Sequence, residues 1–303
     1  MPYIKSVQDS VSEPVNIYYE DTIKGRPVVF IHGWPLSHDM WEYQFNELPK
    51  YGIRCIAYDR RGFGKSGKPW NGYDYDTLAG DLKIVLDELD LEDVTLVGFS
   101  MGGGEVVRYI SKYGEDRISK IVLLSAVTPF MLKADDNPNG IPQETFDDFI
   151  YQTKNDRPDF LSAFGKLFYG VNIINKPVSQ AMLDWTLKLA LNGSPKATVE
   201  CIKSFSATDF REDLKKITVP TLIIHGDSDK IVPIDMSGSR TAYLIPGAKY
   251  KIYAGAPHGL FITEKEMLNN DLITFIENGT ISSETNSMDA LAAESISSAQ
   301  YPF

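Results

Sequence analysis

The sequence predicts an α/β fold: a mostly parallel central sheet flanked by helices, with a helical insertion between its two halves. Three observations carry that prediction. Short β-branched runs alternate with longer helical patterns in the first half, the runs disappear from about residue 127 to 215 where aromatic side chains stand in helical contexts, and the strand pattern then resumes. The expected organisation is core over 1–126, helical cap over 127–215, core again over 216–278 and a tail over 279–303.

Taken in order, residues 27–31, 54–58, 94–97 and 120–124 are short, mainly apolar runs, the pattern of parallel strands buried on both faces. Residues 75–89 place Leu78, Leu82, Val85, Leu86 and Leu89 at helical spacing, and 105–113 repeat that spacing more weakly. In the insertion, Phe146, Phe149, Phe160, Phe164, Phe168, Trp185 and Leu187 sit among Asp, Asn and Pro. Runs at 219–224 and 250–253 complete the sheet, and 266–277 form a last helix. After Gly279 the residues are mainly Ser, Ala, Glu and Thr, with little apolar surface to offset ordering entropy. A mobile tail is expected there, with a short helix around 288–294.

At 303 residues the chain can bury a sizeable continuous core. Cys55 and Cys201 are too few for a disulfide framework, so two packed, unpaired thiols in a reducing compartment are expected. A net charge of −11 argues against nucleic acid, which needs a basic face. No stretch approaches the roughly 20 apolar residues that span a bilayer, and MPYIKSVQDSVSEP at the start has no apolar signal run. A cytoplasmic protein without membrane or nucleic-acid partners follows as the expectation.

The chemistry begins at Gly98-Phe99-Ser100-Met101-Gly102, which follows a strand and precedes a helical pattern. This is GxSxG in the strand, turn and helix context that gives it meaning. A sharp bend there lifts the serine hydroxyl clear of the sheet, above the N–H groups of the next helix, and leaves no room for side chains at the two glycines. Two phosphate-loop readings fail. Gly98, Ser100 and Gly103 fit a dinucleotide GxGxxG without its second glycine, and Gly64-Lys65-Ser66 has Asp59 where a phosphate loop needs its first glycine.

A serine hydroxyl needs a base, and the base needs an orienting carboxylate. Of four histidines, His32 and His225 each sit between a strand and a glycine and read as packed or turn residues, while His38 reads as a surface loop residue. His258, in a small-residue loop after the last strand, is the best base, because loops at the carboxyl ends of strands converge on the ligand crevice. The carboxylate should lie between nucleophile and base in chain order, where Asp227 and Asp229 are both candidates. The backbone N–H groups of Met101 and of Trp34 are the candidate oxyanion donors, and Pro35 stiffens the second loop.

The blocks HGWPLSHDMW, AYDRRGFGKSGKPW, LVGFSMGGGEVVRYI, SFSATDFREDLKKITVPTLIIHGDSDKIVP and APHGL are spread over about residues 25 to 278. Through them the chain resembles the cofactor-free haloperoxidases and bacterial aryl esterases of the α/β-hydrolase superfamily, which also contains γ-lactamases and perhydrolases. The resemblance implies the α/β-hydrolase fold, Ser100, Asp229 and His258 as triad (Asp229 in preference to Asp227), and the Trp34 and Met101 amides as oxyanion hole. It further implies Trp34, Val127, Met131, Phe149, Phe164, Phe205 and Ile231 as substrate contacts, with no metal and no cofactor. Small esters or carboxylic acids, taken with water or hydrogen peroxide, would be the reactants, and self-association is common in the family. Peroxide in place of water yields peracids that halogenate secondarily, and proline after the oxyanion tryptophan, here Pro35, marks members that favour this. The tail beyond 279 departs from the family. A γ-lactamase or C–C lyase on the same triad, and a triad-bearing small-molecule receptor, stay open as other readings.

Overall fold

The structure is a computed structural model that describes residues 2–8, 13–22 and 24–281; the expected tail and short helix beyond 281 lie outside these residues. Among them an eight-stranded sheet runs β1 (Tyr3–Ser6), β2 (Val15–Asp21), β3 (Arg26–Ile31), β4 (Ile53–Tyr58), β5 (Val94–Phe99), β6 (Ile118–Leu124), β7 (Thr221–Gly226) and β8 (Lys249–Tyr253). The spatial order is β1-β2-β4-β3-β5-β6-β7-β8, with β1 and β2 antiparallel to their neighbours and all other pairs parallel. The six parallel strands overlap the six runs read from the sequence. The antiparallel β1–β2 pair was not expected: β1 has only four residues, and β2 mixes Asn16, Glu20 and Asp21 with its apolar side chains, a weak signal beside the continuous runs of the centre.

Helices cover both faces: α1 (Glu42–Glu47), α2 (Tyr75–Glu88) and α3 (Met101–Tyr113) in the first half; α4 (Gln143–Asn155), α5 (Arg157–Phe168), α6 (Gln180–Leu191), α7 (Pro195–Ala207) and α8 (Arg211–Leu214) between β6 and β7; then α9 (Gly238–Leu244), α10 (Leu260–Thr263) and α11 (Lys265–Asn278). Helix α2 starts where the Asp74 carboxylate accepts the Thr77 N–H at 2.9 Å. Its Leu78, Leu82, Val85 and Leu86 are fully buried, each contributing about 1.5–3 kcal/mol of burial. Helix α3 is longer than its weak periodicity suggested, because Gly102, Gly103 and Gly104 carry no apolar signal yet pack closely in its first turns. Every residue of β5 is buried, which explains an apolar run without alternation.

Strand β3 has β4 on one side and β5 on the other, so the chain changes its direction of winding between β3 and β5. The crevice outside the carboxyl ends at such a switch is where open α/β sheets bind ligands. Among the described residues no helix is long and apolar enough to cross a membrane. Both cysteines are buried and unpaired, and burial pushes each thiol up to about 12.

Candidate active site

The loops after β3, β5, β7 and β8 meet at that crevice. Directly after β5, Ser100 adopts φ 52° and ψ −117°, a conformation costing a non-glycine residue about 1–3 kcal/mol. The surrounding backbone holds it: the Ser100 N–H donates to the Leu124 carbonyl at 2.9 Å, and the Ser100 carbonyl accepts from Gly103 at 3.0 Å and Val127 at 3.3 Å. The two glycines of the motif are sterically required. A Cβ on Gly98 would lie 2.6 Å from the Gly102 carbonyl oxygen, and one on Gly102 would crowd that of Ile31 more closely still.

Ser100 Oγ lies 3.0 Å from His258 Nε2, and His258 Nδ1 lies 2.6 Å from Asp229 Oδ2. The imidazole is fixed on both sides, with ring centroids of Phe99 and Phe168 at 4.9 and 5.0 Å. Asp229 is buried, and its Oδ1 accepts the N–H groups of Ile231 and Val232 at 2.9 and 2.8 Å. Burial alone would raise its pKa. The charge of His258 and hydrogen bonds from His225 and His258 outweigh it, so the carboxyl is held well below the usual carboxylate range. Asp227 serves the loops instead: its carboxylate accepts the Gly255 N–H at 2.7 Å and ties the loop after β7 to the loop after β8.

Neither the Trp34 nor the Met101 N–H has an acceptor among the described residues. Trp34 is buried, its indole N–H donating to the Thr198 carbonyl at 3.0 Å. An apolar cavity of about 90 Å³ opens beside Ser100 and His258, and Trp34, Val127, Met131, Phe149, Phe164, Phe205 and Ile231 all line it.

A family model described as the alpha/beta hydrolase fold matches residues 26–265. The chain belongs to that family. Among alpha/beta hydrolases it is 45% identical to a non-heme chloroperoxidase of Kitasatospora aureofaciens, covering 86% of this chain and 96% of that one. It is 42% identical to a bifunctional esterase/perhydrolase of Acinetobacter calcoaceticus, covering 88% and 98%. The crystal structure of a bromoperoxidase from Bacillus anthracis superposes with a TM-score of 0.87 at 48% identity, covering 91% of this chain and 99% of that one. The chain is thus an alpha/beta hydrolase of the branch that holds non-heme haloperoxidases and esterase/perhydrolases.

Several parts of this hydrolase's site escaped sequence reasoning. His225, read as a packed or turn residue, lies with Nε2 2.8 Å from the Val232 carbonyl and 3.2 Å from Asp229 Oδ2, so it also faces the carboxylate. Ile141, Thr145, Phe146, Leu167, Lys230 and Val232 line the cavity as well. Only their helical or loop context was visible, not which face would point inward. His38 is not a surface residue: it is 4% exposed, and its Nδ1 and backbone N–H meet Asp59 Oδ1 at 2.7 and 2.8 Å. The partner that draws it inward, Asp59, stands 21 residues away in sequence. His32 is packed, as expected, and its contacts fix its tautomer: Nδ1–H donates to the Gly33 carbonyl at 2.9 Å and Nε2 accepts the Arg60 N–H at 2.9 Å. Burial, and then the charge of Arg60, hold its pKa well below the ordinary value. Arg60 is itself buried and paired with Glu105 of α3, whose other oxygen accepts the Tyr58 hydroxyl at 2.8 Å.

Proposed function

We propose that the chain is a serine carboxylic-ester hydrolase that works through an acyl-enzyme on small esters and accepts hydrogen peroxide as well as water. The observation that carries this reading is the continuous contact from Ser100 Oγ through His258 to Asp229, opening into an apolar cavity beside two unbonded amides. Ser100 Oγ attacks the ester carbonyl while its proton passes to His258 Nε2. The oxygen that becomes negative is received by the Trp34 and Met101 N–H groups, each such donor being worth about 3 kcal/mol in the transition state. Asp229 stays ionised and stabilises the imidazolium, which then protonates the departing alcohol.

Water or peroxide next adds to the acyl carbon and gives its proton to His258. Collapse returns that proton to Ser100 and releases a carboxylic acid or a peracid. A cavity of about 90 Å³, with Val127, Met131, Phe149, Phe164, Phe205 and Ile231 on its wall, suits a short apolar acyl group. In this reading residues 127–215, which carry α4 to α8, form the cap of a core completed by residues 216–278. A cytoplasmic location accords with the buried, unpaired thiols.

Steady hydrolysis of 4-nitrophenyl acetate that vanishes in Ser100→Ala is the expected result. A single stoichiometric release of 4-nitrophenol, or turnover that survives the substitution, would overturn the reading. For peroxide, Pro35→Leu should lower the ratio of peracid to acid, whereas an unchanged ratio would remove Pro35 from the account.

A further inference from the structure

A second concave space lies outside the catalytic cavity and shares no lining residue with it. It is a cleft of about 640 Å³ between the segment 68–70 of the core, the end of α4 and the start of α7, within the size range of small-molecule sites. Four lysines, Lys68, Lys154, Lys196 and Lys203, line it against one carboxylate, Glu200. That concentration is unexpected on a chain with 41 acidic and 30 basic residues. Lys196 and Lys203 share Glu200 Oε1 at 3.0 and 2.9 Å, and Lys68 donates to the Asn192 carbonyl at 2.6 Å. Lys154 has no ion-pair partner among the described residues. The positive end of the thirteen-residue helix α7 opens on the same space.

Two further observations concern uncharged side chains of the same cleft. Trp70 is 71% exposed, unusual for so large an apolar ring, and Lys196 Nζ sits 4.9 Å from its centre, a cation–π contact that leaves most of the indole open. Thr153, which lines the cleft, is 5% exposed, and its Oγ1 is buried with no hydrogen-bond partner among the described residues. Buried hydroxyls are normally satisfied, so an unmatched one marks an uncompensated polar group in the wall of this cleft.

We propose that this cleft binds a planar aromatic anion, whose ring stacks on Trp70 and whose carboxylate or phosphate pairs with the lysines. The indole supplies the flat surface and the ammonium groups select the charge. Pro69, Pro195 and Val199 provide the apolar floor that a ring needs and an inorganic ion does not.

Isothermal titration of the full chain with 2-naphthoate, 2-naphthyl phosphate, neutral 2-naphthamide and inorganic phosphate tests the assignment. At least one aryl anion should bind saturably, weaken as salt rises, and lose tenfold or more in affinity both in Trp70→Ala and in the double variant Lys154→Ala, Lys203→Ala. The amide and inorganic phosphate should bind at least tenfold more weakly. All three substituted side chains are exposed, so the fold tolerates the changes. Absence of saturable binding by both aryl anions, binding unchanged in both variants, or an amide that binds as tightly as the anions would each overturn the proposal.

Discussion

The strand-end loops and the helices α4 to α7 build opposite sides of one site by different physics. On the loop side the decisive contacts are directional: one hydroxyl, one imidazole and one carboxylate are aligned at 3.0 and 2.6 Å, over a bend whose glycines admit no side chain. Where the helices meet those loops the contacts are ring against ring: Trp34 of the loop after β3 packs on Phe164 at 5.2 Å and on Phe205 at 5.7 Å. Directional groups fail outright when one is removed, because proton transfer needs all of them in reach. Dispersive walls fail gradually, since neighbouring side chains still exclude water and fill space. The reaction type should therefore be fragile to single substitutions, and acyl-chain preference plastic.

The largest expected effect is on the loop side. His258→Ala should lower kcat by about 10⁴-fold or more; a loss below tenfold would break the contrast. Asp229→Asn should cost about 10⁴-fold in kcat, because the amide no longer fixes the tautomer of His258. It also sharpens the contrast through pH. The folded-state pKa of Asp229 is lowered from 3.8, so its ionised form contributes stability above that value, and the contribution is lost as pH falls toward the lowered value. In urea unfolding, stability of the parent should therefore fall more steeply than that of Asp229→Asn as pH drops below about 4; parallel curves would count against an ionised, partnered Asp229.

Beneath the bend, Arg60→Met should destabilise by about 3–5 kcal/mol, because Glu105 would be left buried without its cationic partner. An unfolding midpoint equal to the parent's would show that this pair does not support the bend. The smallest effect belongs to the helical wall. Phe149→Ala, at a cavity-lining and partly exposed position, should shift kcat/KM toward 4-nitrophenyl hexanoate over the acetate by about tenfold. Loss of all activity there would mean that the wall, too, aligns the reacting groups.

The same contrast explains what the sequence disclosed. Continuous apolar runs announced the parallel strands, and the bend at Ser100 was legible because its glycines are a steric requirement written at fixed spacing. Asp229 was separable from Asp227 only by resemblance, since both follow the same strand; the structure separates them by what they touch, His258 for one and the Gly255 N–H for the other. His38 and His225 were misread or understated because their surroundings come from Asp59, Val232 and a loop that folding alone brings near. Phe146 of α4 joined the cavity unannounced, because a helical period says that a face is buried, not which cavity it lines.

Rapid-quench mass spectrometry of the protein mixed with 4-nitrophenyl acetate tests the central claim most directly. The account predicts one acetyl group on the peptide bearing Ser100, formed before steady product release and cleared as the substrate is consumed. Turnover with no acetyl group on Ser100, or with acetyl accumulating at another residue on the catalytic timescale, would contradict it.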